Sequence, residues 1–191
     1  INTLLKNNEF KEELYDYLYK YYIYGIDAVI VQDMGALHFI HNNFPNLPIH
    51  ASTQMAINNL YCAKFVESLG FERVVLARET ELFEINRIKE NTSLDIEAFI
   101  HGALCVCFSG ECLMSSMIGG RSGNRGDCAQ PCRKKYEIYD LNKEKIAESA
   151  NFLSTKDLNT LDNVKDLIDR GVYSLKIEGR MKRPEYVSQI V

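Results

Sequence analysis

The sequence predicts an α/β fold of the (β/α), TIM-barrel-like kind, of which this chain supplies only part. Three observations predict it. Short apolar runs alternate with amphipathic stretches. The alternation repeats every roughly 22–25 residues, the length of one strand-and-helix unit. Each apolar run also ends in polar residues. Continuous apolar strands between amphipathic helices imply parallel strands buried on both faces. A full barrel needs eight strands and the chain offers five or six. The expectation is therefore a single domain over 1–191, an incomplete barrel lacking upstream strands.

The elements follow in order. Phe10, Leu14, Leu18 and Tyr21 fall at helical spacing between Asn8 and Tyr22, and Gly25 ends that helix. Asp27–Val31 is a short strand, and Pro48–Ala51 a second. Leu60, Ala63, Val66 and Leu69 mark a helix closed by Gly70. Arg73–Ala77 is a third strand, with Thr80 as N-cap of a helix over Glu81–Glu90. Ile96–Ile100 is a fourth. Ser154–Asp157 reads as the cap of a helix running through Leu161, Val164 and Ile168 to Gly171, before a last strand, Ser174–Ile177.

Composition narrows the class. With 46% hydrophobic and 25% charged residues the chain is globular rather than disordered or collagen-like. No apolar run reaches the roughly 20 residues that span a bilayer, and Ile1–Glu13 has no apolar signal-peptide core. A cytoplasmic setting without membrane contact is expected. Net charge is −4, but its distribution is uneven. Arg121, Arg125, Arg133, Lys134 and Lys135 cluster against Asp127 alone, and Lys176, Arg180, Lys182 and Arg183 against Glu178. Two such basic loops suit an anionic ligand or a solvated surface.

The polar strand ends are Gln32-Asp33, Ser52-Thr53-Gln54, Arg78-Glu79, His101-Gly102 and Glu178-Gly179-Arg180. In parallel α/β folds the active site forms there. Ser52 and Thr53 double as helix caps. Arg78, Glu79, His101 and Glu178 are poor caps and stand as catalytic candidates.

Between about residues 102 and 136 the repeat gives way to a cysteine- and glycine-rich insertion. It holds five of the six cysteines, Cys105, Cys107, Cys112, Cys128 and Cys132. Disulfides fit poorly with the absence of a secretory signal, and inert core thiols do not explain the clustering. Converging thiolates at a metal or cluster do. Cys105, Cys112, Cys128 and Cys132 are the favoured ligands, with Cys107 as substitute and Cys62 a core residue. Spacing leaves zinc and a [4Fe-4S] cluster both open, as well as an empty site.

The run His101-Gly-Ala-Leu-Cys105, Ser109-Gly-x-Cys112 and Arg121-x-x-Asn124-Arg125-Gly-x-Cys128-Ala-Gln-Pro-Cys132-Arg133 resembles the signature of the peptidase U32 family. Thr53-Gln54, Arg78-Glu79 and Leu175-Lys-Ile-Glu-Gly-Arg180 resemble its other blocks. The resemblance implies a (β/α) barrel core, with strands upstream and a further domain downstream that this chain lacks. It also implies either a collagenase-like protease or a hydroxylation factor for uridine in transfer RNA, cytidine in ribosomal RNA, or a ubiquinone precursor. The hydroxylating groups are associated with four-cysteine iron–sulfur clusters.

Residue chemistry favours hydroxylation. There is no HExxH and no G-x-S-x-G, though Cys105 with His50 or His101 stays open as a nucleophile–base pair. His38 and His41 read as surface or helix-face histidines. Hydroxylating an unactivated ring needs a redox centre that amino acids lack. The expected partner is RNA, with Gln54, Arg121, Asn124, Arg125, Arg133, Lys176 and Arg180 as substrate-binding candidates. Tyr136 and Tyr139 are expected to pack on the core or to stack a base. A peptide substrate and a zinc-stabilised nucleic-acid-binding module without catalysis are the alternatives.

Overall fold

The structure is a computed structural model that describes residues 4–179 and 182–191. Two helices open it, α1 (Asn7–Glu12) and α2 (Leu14–Ile23), where the apolar spacing predicted one. They part at Glu13, whose φ of −125° leaves helical geometry. Strand and helix then alternate: β1 (Val29–Val31), α3 (Met34–Asn43), β2 (Ile49–Ala51), α4 (Leu60–Ser68), β3 (Arg73–Val75), α5 (Leu82–Asn91) and β4 (Asp95–Gly102). Caps set the helix starts. The Asp33 carboxylate accepts from Ala36 N–H, and the Asn59 side-chain oxygen from Cys62 N–H. Thr80 does not cap α5; its hydroxyl donates to the Ala77 carbonyl, and Glu81 takes the cap position.

The insertion contains one short helix, α6 (Met114–Gly119), and leads into an antiparallel hairpin, β5 (Tyr136–Tyr139) and β6 (Lys145–Ala150), which forms a separate sheet. Tyr139 is exposed there, so the expectation that it packs on the core is corrected. Ser154–Asp157 starts no helix. The chain runs into β7 (Leu158–Asn159), a 3-10 turn, α7 (Val164–Asp169), β8 (Val172–Glu178) and α8 (Pro184–Ile190).

The main sheet has the parallel order β1-β2-β3-β4-β8, with β7 antiparallel on the last two residues of β4. Among the described residues it is open and does not close into a barrel. One face is apolar: Val31, Ala51, Val74 and Ile96 are fully buried together with Ile40 of α3, Ala63 of α4 and Ile88 of α5. Strand alternation puts Ile30, His50, Arg73, Glu97 and Phe99 on the other face. That face buries Val75 but is otherwise largely polar, so the continuous apolar burial expected on both faces is found on one. Glu97, 8% exposed, accepts from Lys176 Nζ at 2.6 Å and the Ser174 hydroxyl at 3.1 Å, with Arg73 at 3.7 Å. Burial, reinforced by the Arg73 charge, pushes the His50 imidazole below its ordinary pKa.

Candidate active site

The loops after β1, β2, β3, β4 and β8 and the cysteine-rich insertion enclose a cavity of about 410 Å³ at the carboxyl ends of the strands. This is where a parallel sheet leaves room for a ligand. Its walls include Ile30, Gln54, Arg78, Phe99, Phe108, Asn124, Lys176 and Glu178.

Close backbone approach holds the insertion over the sheet. Gly102 has φ +110°, and a Cβ there would lie 2.3 Å from the Glu178 carbonyl oxygen. Gly110 has φ +84°, and its Cβ would meet the Gln54 carbonyl oxygen at 2.1 Å. Only glycine fits either seat. Ser109, 2% exposed, then locks the loop. Its N–H and hydroxyl both donate to Glu79, at 3.0 and 2.9 Å, and its hydroxyl oxygen accepts from Arg78 N–H at 3.3 Å. Further along, the Ser115 hydroxyl oxygen accepts from Ala129 N–H at 2.9 Å, tying the second cysteine pair to α6.

All six cysteines are free thiols. Cys105, Cys112, Cys128 and Cys132 all line the cavity. Burial pushes the Cys132 thiol up; neighbouring Cys105, Cys128 and Cys112 add to the rise, against the pull of Arg133. Cys107 is likewise raised by burial and by Cys112 and Cys105 beside it. Among the described residues no three Cys, His, Asp or Glu side chains come together tightly enough to hold one metal ion. The four cysteines that line the cavity offer soft sulfur donors, the chemistry of a zinc or iron–sulfur site.

The catalytic candidates separate into two groups. Arg78 and Glu178 both line the cavity and pair at 3.5 Å, with the Arg78 guanidinium 4.0 Å above the Phe99 ring centre. Arg78 Nε and Gln54 Oε1 are each buried without a hydrogen-bond partner. Glu79 spends its carboxylate on Ser109 and does not line the cavity. His101 does not line it either: its Nδ1 is bound to the Tyr186 hydroxyl of α8. No histidine is among the lining residues.

Most of the basic candidates are engaged within the protein. Arg125 grips Glu9 with two hydrogen bonds, at 2.5 and 3.1 Å, and donates to the Leu4 carbonyl. This pair and the Lys6 N–H hold the Glu9 carboxyl down at about 2. Arg121 Nε donates to the Asp127 carbonyl at 3.0 Å, within its own loop. Arg133 reaches the cavity, but its guanidinium is spent on Ser154, Thr155, Leu104 and Asp157. Lys176 lines the cavity while bound to Glu97, 5.5 Å from the Phe99 ring centre. Lys134, Lys135 and Arg183 of the two basic loops are exposed. Asn124 lines the cavity, its carbonyl accepting from Gln32 Nε2 at 2.9 Å. Arg180 lies outside the described residues. Sequence reasoning missed Phe99 and Ser109; both sit within the segments it singled out, but neither residue type advertises a cation platform or a latch.

An open, mainly parallel α/β sheet with a thiol-lined cavity at its strand ends defines the class. The chain matches the family model of Peptidase family U32 over residues 1–191 and belongs to that family. It is 44% identical over 192 residues to the 23S rRNA 5-hydroxycytidine C2501 synthase of Escherichia coli, covering 100% of this chain and 28% of that protein. It is 38% identical over 195 residues to the tRNA hydroxylation protein P1 of Bacillus subtilis, covering 99% of this chain and 46% of that one. It is 37% identical over 175 residues to a Porphyromonas gingivalis protein named collagenase, covering 85% of this chain and 42% of that protein. The chain thus spans less than half the length of each of these relatives. Among the described residues no helix is long and apolar enough to cross a membrane.

Proposed function

We propose that this chain is part of a cytoplasmic enzyme that hydroxylates a pyrimidine base in RNA, with an iron–sulfur cluster held by Cys105, Cys112, Cys128 and Cys132. The observation that carries the reading is the gathering of these four thiols on one cavity floored by Phe99, Arg78 and Lys176. A cluster supplies the electron transfer that amino acids lack, and cysteine thiolates are its usual ligands. The chain's own residues shape the pocket. Arg78 and Glu178 fix each other at its wall, Phe99 supports the two cations, and Ile30, Phe108 and Pro131 add apolar wall. Phosphates fall to the exposed Lys134, Lys135 and Arg183. Two relatives named for RNA hydroxylation support the substrate class.

The protease reading, which the collagenase relative keeps in view, requires a base beside a nucleophile. Here the cavity thiols have no histidine among their lining neighbours. The test is nucleoside mass spectrometry of RNA from cells carrying the wild-type gene or its Cys112→Ser variant. A pyrimidine nucleoside one oxygen atom heavier should vanish in the variant. Its persistence, or cleavage of a collagen peptide by wild type but not variant, would overturn the proposal.

A further inference from the structure

The cluster reading uses four of the insertion's five cysteines and leaves Cys107 aside. Cys107 is half-buried and is not among the residues lining the cavity, whereas Cys112 is. A tight turn brings the two together. The Glu111 N–H donates to the Phe108 carbonyl at 3.2 Å, so residues 108–111 reverse the chain and Cys107 and Cys112 flank the reversal. Across that gap the Cys107 thiol shares a hydrogen bond with the Cys112 thiol. The turn is anchored at both of its middle residues. Ser109 donates to Glu79 through its N–H and its hydroxyl, and Gly110 is pressed against the Gln54 carbonyl. Thiols in hydrogen-bond contact across a fixed turn need only a small approach of their sulfurs to bond covalently.

We infer that Cys107 and Cys112 are a redox modification site, whose two thiols hydrogen peroxide joins in a reversible disulfide. This goes beyond the hydroxylation reading and does not need it. One sulfur attacks the peroxide O–O bond and becomes a sulfenic acid, releasing water. The other sulfur displaces the sulfenic hydroxyl, which leaves as a second water, and the S–S bond forms. Two electrons pass from the sulfurs to the peroxide oxygens, and both thiol protons depart in the two waters. A partly exposed pair carried on a turn suits such a reversible sensor better than a permanent structural bridge. The bond also takes Cys112 out of the cavity's donor set and leaves Cys105, Cys128 and Cys132. Oxidation therefore closes the thiol site to any metal or cluster that needs all four.

The test uses the full chain, reduced, stripped of metal with a chelator, treated with equimolar hydrogen peroxide and then alkylated. Digestion after acidic and basic residues cuts at Glu111, between the two cysteines, and at Arg121 beyond them. Mass spectrometry should find the fragment ending at Glu111 joined through Cys107 to the fragment beginning at Cys112. The joined species should be two hydrogen atoms lighter than the separate thiols, and a thiol reductant should release it. Cys107→Ser should raise alkylation of Cys112 after peroxide roughly tenfold over oxidised wild type, and Cys105→Ser should leave the bond in place. Melting curves matching wild type show that the variants are folded. Cys112 that stays open to alkylation in oxidised wild type overturns the inference, as does a bridge from Cys112 to Cys105, Cys128 or Cys132 in place of Cys107.

Discussion

The Glu79 carboxylate accepts two hydrogen bonds from Ser109, one from its N–H at 3.0 Å and one from its hydroxyl at 2.9 Å. Residues 30 apart in sequence thereby fix the cysteine-rich loop to the end of β3. Ser109→Ala removes one of these bonds and the acceptor for Arg78 N–H. Urea unfolding should show a loss of about 1–3 kcal/mol, and the cavity thiols should react faster with alkylating agents. Unchanged stability and reactivity would show that the latch does not hold the loop.

Gly110→Ala should unseat the same loop, since its Cβ would lie 2.1 Å from the Gln54 carbonyl oxygen at φ +84°. Gly119 is the control, because a Cβ added there would meet nothing within 4 Å. Gly119→Ala should stay within roughly 0.5 kcal/mol of wild type, whereas Gly110→Ala should cost at least about 2 kcal/mol. Thermal melts decide between them.

Glu9 is held at about 2 against an ordinary 4.5, chiefly by the Arg125 hydrogen bonds and the Lys6 N–H. The folded form binds its proton less readily than the unfolded chain. Its contribution is therefore complete above pH 4.5 and is lost as pH falls towards 2. Glu9→Gln should flatten that part of the stability–pH curve and leave its shape above about pH 5.5 alone. An unaltered acid limb would mean that the pair does not persist in solution.

Glu97 collects Lys176, Ser174 and Arg73 on the polar face of the sheet. Glu97→Ala strands Lys176, whereas Arg73 keeps Asp95 at 3.2 Å, and should cost about 3 kcal/mol. Adding Lys176→Met should recover part of that loss, because the stranded charge is removed. Strict additivity in a double-mutant cycle would refute the coupling.

The parallel strands were legible because β1, β2, β3 and β4 contain short apolar runs set by local pattern. The start of α3 is marked by Asp33, yet an aspartate after a strand reads equally as a polar strand end. Long-range pairing was hidden. Arg125 looks free until α1 brings Glu9 to it, 116 residues away. The Ser154–Asp157 cap failed for a similar reason. Those residues form tertiary ties instead: Ser154 and Asp157 accept from Arg133, and the Thr155 hydroxyl donates to the Leu104 carbonyl at 2.7 Å. Side chains suited to capping suit such ties equally well. The crowding of cysteines and glycines into one segment was legible, but the seats of Gly102 and Gly110 were not, because their partners, the Glu178 and Gln54 carbonyls, lie on other strands and loops.

Whether the four cavity thiols hold an iron–sulfur cluster is decided by anaerobic purification of wild type and Cys112→Ser, followed by iron, acid-labile sulfide and zinc quantification. Wild-type protein should be brown, with iron and sulfide in equal amounts and little zinc, and the variant should hold sharply less iron. Colourless wild-type protein after anaerobic cluster reconstitution, or iron content indifferent to Cys112, would rule the cluster out.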